Sequence, residues 1–352
     1  MRILHLLNDV VDLGNGINNS TVDLACAQRE LGHDVHVASA GGAQVAVLEA
    51  EGVVHHTIDQ ERAPASIARA SAALLRLVRR LGPDVVHVHN LTGAVLAGAR
   101  WPRPYALVAT LHLEEKRGVA AMALADRVIA FHDSARLASL VPGRQRRLDV
   151  IRQGILGGAR SRMAVDELPE VSHPAIVTVC GMYEHKGIFD LLDAFGEVLP
   201  DSPEAHIYFV GNGPDRERLE RSSAAKPYAD RVHVVGFQPR PAPWLRAADV
   251  FVLASRREVA ALVLAEARNE GLAPVATTAG GIPTLVEDGV SGLLSPPGDV
   301  PALAANIRRM LLDQPLREEL ERRAVEGLED LSIRRFACDV IALYREVLAG
   351  KR

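Results

Sequence analysis

Short apolar runs rich in Val, Ile and Leu alternate along this chain with longer stretches whose apolar positions recur three and four residues apart. The first pattern suits strands buried on both faces, the second amphipathic helices. In the first half the runs predict strands at 2–7, 35–40, 53–58, 84–89, 105–111, 127–131 and 148–151, with helices at 20–30 and 67–81. Residues 154–174 break the rhythm: Gly, Pro and charge without apolar periodicity predict an interdomain linker. A second series follows, with strands at 175–180, 205–210, 231–235, 249–253, 273–278 and 292–294. Helices are predicted at 187–198, 214–222, 262–271, 301–312, 316–326 and 333–348. Strands separated by helices make parallel sheets covered on both faces. The fold class is therefore α/β, with two doubly wound, Rossmann-like domains, 1–160 and 172–332, facing a cleft.

In such sheets ligands gather at the carboxyl ends of strands. That rule singles out the Gly14/Gly16 turn in the loop 12–19, then His89-Asn90 and His112. In the second half it singles out 254–281, where Glu258 and Glu266 stand eight positions apart, a little over two helical turns. One carboxylate lies at the mouth of the helix and the other along its body. A helix N-terminus offers unpaired N–H groups and a positive dipole end, which suit a diphosphate. Ala260 and Ala261 keep that mouth unobstructed, and Gly280-Gly281 predicts a turn that lets backbone approach something closely.

Each residue also has a purely structural reading. Glu258 is a favourable first-turn charge, and Lys186, beside Gly187 at a helix start, either binds phosphate or caps its own loop. The Gly14/Gly16 turn serves an ordinary strand-to-helix connection equally well. His87, inside a strand, reads as structural; His89 and His112 read either as packed residues or as ligand-facing ones. Arg144, Arg146 and Arg147 read first as a solvated face, and second as a contact for a membrane surface or lipid diphosphate.

Composition narrows the classes. A 352-residue chain that is 48% hydrophobic has apolar mass for two cores. Forty basic against 44 acidic residues, a net charge of −4, give no global case for nucleic-acid binding. Cys26, Cys180 and Cys338 fit no metal or disulfide spacing, so a reducing, cytoplasmic setting is expected. The opening MRILHLLNDV reads as a first strand rather than a signal peptide, and no apolar run reaches the ~18–20 residues that span a bilayer. Aromatic residues at 4% weigh against a long carbohydrate groove built on stacked rings.

The second half resembles the C-terminal domain of the family 4 retaining glycosyltransferases, whose two-domain architecture is called GT-B. The matching pieces are CGMYEHKG at 180–187, VGNG at 210–213, VGF at 235–237 and ADVFVL at 248–253. Glu258 and Glu266, GLAPVAT at 271–277, GGIP at 280–283 and EDGVSGLL at 287–294 complete them. The first half is similar more loosely, through the turn at Gly14 and Gly16, PDVVHVH at 83–89 and His112. The final ALYREVLA is similar to a terminal helix that returns to the N-terminal domain, here 333–352.

The resemblance implies that Glu266 accepts hydrogen bonds from the donor's ribose and Glu258 from its sugar hydroxyls. Lys186 and the amides around Ala261, Leu262 and Val263 would neutralise the diphosphate, with Gly14 and Gly16 closing over it. His112 would contact the donor sugar and the acceptor zone. No cofactor is implied beyond the substrate, a nucleotide-diphosphate sugar, UDP- or GDP-linked by family tendency. No metal is implied either, and the chain has no Asp-Xaa-Asp. The acceptor would be a glycan, a lipid-linked molecule or a small molecule, seated on the N-terminal domain.

The chain also departs from the family pattern. Met182 stands where members commonly carry an Arg, so Arg256, Arg257, His185 and Arg152 are candidate replacements, Arg256 and Arg257 foremost because they adjoin Glu258. Gln153-Gly154 replaces Asn-Gly, Val259-Ala260-Ala261 replaces a Gly/Pro-Phe-Gly, and Thr284 replaces Glu. Two alternatives stand beside transfer: a silent homologue that binds nucleotide or sugar, and a nucleotide-sugar epimerase of similar fold. Retention of Lys186, Glu258 and Glu266 favours transfer.

Overall fold

The computed structural model describes residues 1–11, 16–61, 63–99, 102–112, 119–131, 148–162, 167–258 and 261–351. Two units result: Met1–Met163 with Glu329–Arg352, and Ala164–Leu328.

In the first unit the apolar runs form β1 (Arg2–Leu6), β2 (Asp34–Ser39), β3 (Val54–Thr57), β4 (Val85–Val88), β5 (Ala106–Thr110), β6 (Arg127–Ala130) and β7 (Leu148–Val150). All pair in parallel in the order β3-β2-β1-β4-β5-β6-β7. Around them lie α1 (Gly16–Glu30), α2 (Val45–Ala50), α3 (Pro64–Leu81) and α4 (Leu91–Gly98). The pleat sorts the strand residues. Ile3, Val85, Ala106 and Val108 pack on one face with α1, while Leu4, Leu6, Val86, Val88 and Leu107 pack on the other with α3 and α4.

The second unit repeats the plan with β8 (Ala175–Val179), β9 (His206–Val210), β10 (Val232–Gly236), β11 (Val250–Leu253), β12 (Val275–Thr277) and β13 (Leu293–Ser295). Their order, β10-β9-β8-β11-β12-β13, is that of the first sheet, and every pair is again parallel. Its helices are α5 (Ile188–Val198), α6 (Arg216–Ala224), α7 (Ala242–Arg246), α8 (Leu262–Asn269), α9 (Val300–Leu312) and α10 (Gln314–Ala324). The last helix, α11 (Ile333–Ala349), belongs to the first unit, where Phe336, Val340, Leu343 and Tyr344 join the core beside α1.

Three short helices, α2, α4 and α7, were not legible as apolar periodicity. A helix of one or two turns shows no repeat, and α4 is fixed instead by Asn90, whose Oδ1 accepts from the Gly93 amide. Helix α1 starts at Gly16, a turn earlier than expected, so Gly16 opens a helix rather than sitting in a loop. The expected linker 154–174 also needs correction. Its first part is anchored in the first unit: the Ile155 and Leu156 amides donate to the Leu331 carbonyl, and Arg160 pairs with the buried Asp23 at 2.9 Å. Backbone partners hold it where apolar periodicity is missing.

Candidate functional site

Both sheets reverse their winding at one point, between β1 and β4 and between β8 and β11, and ligands of doubly wound folds sit at such points. In the second unit the loop after β8 ends in the turn Glu184–Lys186, and the loop after β11 carries Glu258. The two loops are pinned together, because the Arg256 and Arg257 amides donate to the His185 carbonyl at 2.8 and 3.3 Å. Thr277 Oγ1 donates to the Ser255 carbonyl at 2.6 Å, tying in the end of β12.

Two glycines make this closeness possible. Gly187 has φ +69°, and a Cβ there would lie 1.8 Å from the Ala254 carbonyl oxygen. Gly280 has φ +52°, and its Cβ would lie 1.7 Å from the Glu258 carbonyl oxygen. The close approach expected at Gly280-Gly281 is therefore made to the backbone of Glu258 itself.

So positioned, Lys186 Nζ donates to Glu258 Oε2 at 2.6 Å, and Ser255 Oγ donates to the same oxygen at 3.1 Å. The lysine side chain is 21% exposed and the carboxylate 9%. A pair this enclosed says little about stability, since desolvation offsets attraction, but it presents a fixed cation and a fixed carboxylate side by side. Helix α8 begins just beyond. Its N-cap, Ala261, supplies no side-chain cap, Leu262 and Val263 form the first turn, and Glu266 lies half-buried along its body.

Met182 departs from the ligand end altogether. It is fully buried in the apolar cluster with Ile188 and Leu219, while its backbone binds Asn212 and Asp215. Arg256 aims its fork at Asp190 of α5, with both contacts at 2.6 Å. Arg152 lies in the first unit, where its carbonyl accepts from Arg335. Burial pushes the Cys180 thiol up to about 11, which removes it as a nucleophile.

In the first unit four imidazoles line the carboxyl end of the sheet. His5 and His87 are register partners on β1 and β4, His89 follows β4 directly, and His112 stands two residues past the end of β5. His5 Nδ1 lies 3.0 Å from His89 Nε2, and His89 Nδ1 lies 3.1 Å from His112 Nε2. His5, His87 and His89 are buried, and burial lowers the basicity of all four rings, His5 to about 4 and His112 to about 3. Beside them, Asn8, Asp9, Ala40, Asp59, Gln60 and Glu61 line a cavity of about 270 Å³. Its described lining contains carboxylates and amides.

Of the residues expected to act, Lys186 and Glu258 meet in a hydrogen bond past the end of β11, and Ala261, Leu262, Val263 and Glu266 belong to α8 and its N-cap. Gly16, at the start of α1, and His112, just past β5, belong to the other unit. Gly14, Val259, Ala260, Arg144, Arg146 and Arg147 lie outside the described residues. The sequence reading missed His5, Gln28, Thr110 and Tyr344. Its one available signal was the alternation that puts His87, His89, Thr110 and His112 at every second position on one sheet face.

Comparison with known proteins gives two family profiles. "Glycosyltransferase Family 4" matches residues 14–155 and "Glycosyl transferases group 1" matches residues 173–313. The chain is 30% identical over 331 residues to D-inositol 3-phosphate glycosyltransferase of Kribbella flavida, covering 82% of this chain and 78% of that one. It is 35% identical over 146 residues to sulfoquinovosyl transferase SQD2 of Arabidopsis thaliana, covering 41% of this chain and 28% of that one. Two further relatives are spanned over 50% and 64% of their lengths. Among solved structures, Anabaena Alr3699/HepE in complex with UDP-glucose superposes with a TM-score of 0.81 at 20% identity, covering 98% of this chain and all of that one. No helix among the described residues is long and apolar enough to cross a membrane.

Proposed function

Because the chain belongs to the family 4 glycosyltransferases, we propose that it moves a glycosyl group from a nucleotide-diphosphate sugar to a hydroxyl of an acceptor, with retention at the anomeric carbon and without a metal. The Lys186–Glu258 pair beside the uncapped start of α8 carries this reading. As the bond from the anomeric carbon to the phosphate oxygen breaks, negative charge grows on the diphosphate. Lys186 and the α8 amides would meet that charge in this reading. The acceptor oxygen bonds the same face of the anomeric carbon, and its proton leaves to the departing phosphate oxygen.

Glu258 receives hydroxyls of the donor sugar, and Glu266 receives those of the ribose, a two-oxygen task suited to a carboxylate. The carboxylates Asp9, Asp59 and Glu61 of the first unit's pocket suit the hydroxyl groups of an acceptor, from which they can accept hydrogen bonds. The relative named D-inositol 3-phosphate glycosyltransferase fits an acceptor rich in hydroxyls, one that also bears a phosphate. UDP is the favoured nucleotide, on the fold likeness to a protein solved with UDP-glucose.

A thermal-shift panel of UDP, GDP, ADP and dTDP against wild type, Lys186→Ala and Glu266→Ala tests the donor site, each variant being read against its own unliganded baseline. A micromolar ligand at millimolar concentration stabilises the fold by about 4 kcal/mol. Stabilisation by UDP in wild type that both variants lose is the expected result. Stabilisation by no nucleotide overturns the proposal. Donor incubated without acceptor should return no epimer, whereas epimerisation would move the assignment to an isomerase.

A further inference from the structure

His5, His87, His89 and His112 of the first unit belong to one hydrogen-bonded chain. His112 Nε2 meets His89 Nδ1, His89 Nε2 meets His5 Nδ1, and His5 Nε2 meets Gln28 Oε1 at 2.8 Å. The same amide continues the chain, since Gln28 Nε2 donates to the Tyr344 hydroxyl at 3.4 Å. Tyr344 lies 2.6 Å from His87 Nδ1, and His87 Nε2 lies 2.7 Å from Thr110 Oγ1. Gln28 stands on α1 and Tyr344 on α11, so helices from the two ends of the sequence close the network over the sheet.

A metal is the other use for such a group, since ring nitrogens of His5, His87 and His89 gather within 4.8 Å of one another. Each of the six nitrogens already has a protein partner, however, and a metal would have to break several of those bonds. The protein network accounts for every one of them.

The polarity of the chain follows from its chemistry. Burial keeps His5 and His112 neutral at physiological pH, so each ring carries one N–H and one lone pair. A phenol is a good donor and a poor acceptor, so the short contact to His87 is Tyr344 O–H donating to Nδ1. The phenol oxygen then accepts from the amide NH₂ of Gln28, which leaves Gln28 Oε1 to accept from His5 Nε2–H. His5 Nδ1 must therefore accept from His89 Nε2–H, and His89 Nδ1 from His112 Nε2–H. Reversing the Gln28 amide would reverse every ring on this arm.

We propose that Gln28 and Tyr344 are positioning residues that fix, through His5 and His89, the tautomer of His112, so that it presents an unprotonated Nδ1 as a hydrogen-bond acceptor for a substrate hydroxyl. His112 remains half-buried, and among the described residues no protein group takes its Nδ1. The inference rests on the proposed transferase reading for the word substrate, and on the hydrogen-bond chain alone for the tautomer. A histidine held in the wrong tautomer can lose its function with its geometry intact.

Long-range ¹⁵N–¹H spectra of the full chain labelled at histidine separate the two parts. Wild type should show His5, His89 and His112 all as Nε2–H tautomers, whereas Tyr344→Phe and Gln28→Met should show His112 as a mixture. Because these changes release the polarity without inverting it, kcat should fall about two- to tenfold with KM for donor unchanged. In a His112→Asn background Tyr344→Phe should add no further loss. Nδ1–H at His112 in wild type, or a His112 signature unmoved in both variants, overturns the proposal. An equal additional loss in the His112→Asn background overturns it as well. Full activity of His112→Asn with the spectra as expected removes the substrate role and leaves the tautomer relay standing.

Discussion

The two units share a strand order and the location of their functional ends, yet they arm those ends in opposite ways. The second unit sets a charged pair, Lys186 and Glu258, against a helix start. The first sets neutral imidazoles in a row and surrounds them with amides, hydroxyls and carboxylates. A parallel sheet with a winding reversal supplies only a place where loops diverge. The residues at the strand ends decide whether that place stabilises developing charge or orients uncharged hydroxyls. The largest consequences follow from disturbing the charged end. Lys186→Ala should lower kcat/KM by about 10²–10³, some 3–4 kcal/mol of barrier, in a sugar-transfer assay. His112→Asn should cost less. Equal losses would mean that the contrast between the units has no functional content.

The backbone under the pair comes next. Gly280→Ala forces a Cβ into the Glu258 carbonyl at a positive φ, so urea unfolding should show a loss of about 3 kcal/mol in the transition of the second unit. The first unit should unfold as before. A transition shared by both units in this variant would show that the two do not respond separately.

Acid should reverse the order of vulnerability. His5, His87, His89 and His112 are held by burial below their unfolded pKa near 6.5, so the unfolded chain binds protons that the folded chain does not. Stability is then fully present above pH 6.5 and is lost as pH falls from there toward the folded values, about 4 for His5 and about 3 for His112. His5 alone accounts for about 2 kcal/mol between pH 7 and pH 5. In the second unit His206 and His233 are also lowered by burial, but both are partly exposed. The first unit should melt first at pH 5, and His5→Gln should blunt the effect. A melting order unchanged from pH 7 to pH 5 would count against the neutral histidine row.

How much of this was readable beforehand depended on the kind of pattern involved. Strands buried on both faces announce themselves as apolar runs, and both sheets were legible that way. Spacing on a helix placed Glu258 and Glu266, and the glycine pair at Gly280-Gly281 signalled a close approach, though not its target. The partners of the histidines stayed hidden for a different reason. Gln28 and Tyr344 stand 316 positions apart, and nothing local marks a glutamine in a helix as the hinge of a network. Met182 misled in a similar way. Sequence position put it beside the diphosphate end, but an unbranched apolar side chain turned into the core.

The smallest expected effect concerns the residue proposed to replace the missing arginine. Arg256 adjoins Glu258 in sequence, but its guanidinium is held by the Asp190 carboxylate at two contacts of 2.6 Å and is 49% exposed. Its partner Asp190 is buried at 9% exposure, so only the cation end of the pair faces water. Water screens a half-exposed guanidinium more than it screens the enclosed Lys186, so Arg256→Gln should change kcat/KM for the donor by no more than about threefold. Asp190→Asn sharpens the point by freeing the guanidinium. If Arg256 then serves the diphosphate, donor KM should fall in Asp190→Asn and return to the wild-type value in the double variant. A hundredfold loss in Arg256→Gln alone would instead make Arg256 the second cation of the charged end, and Lys186 would no longer hold that role unaided.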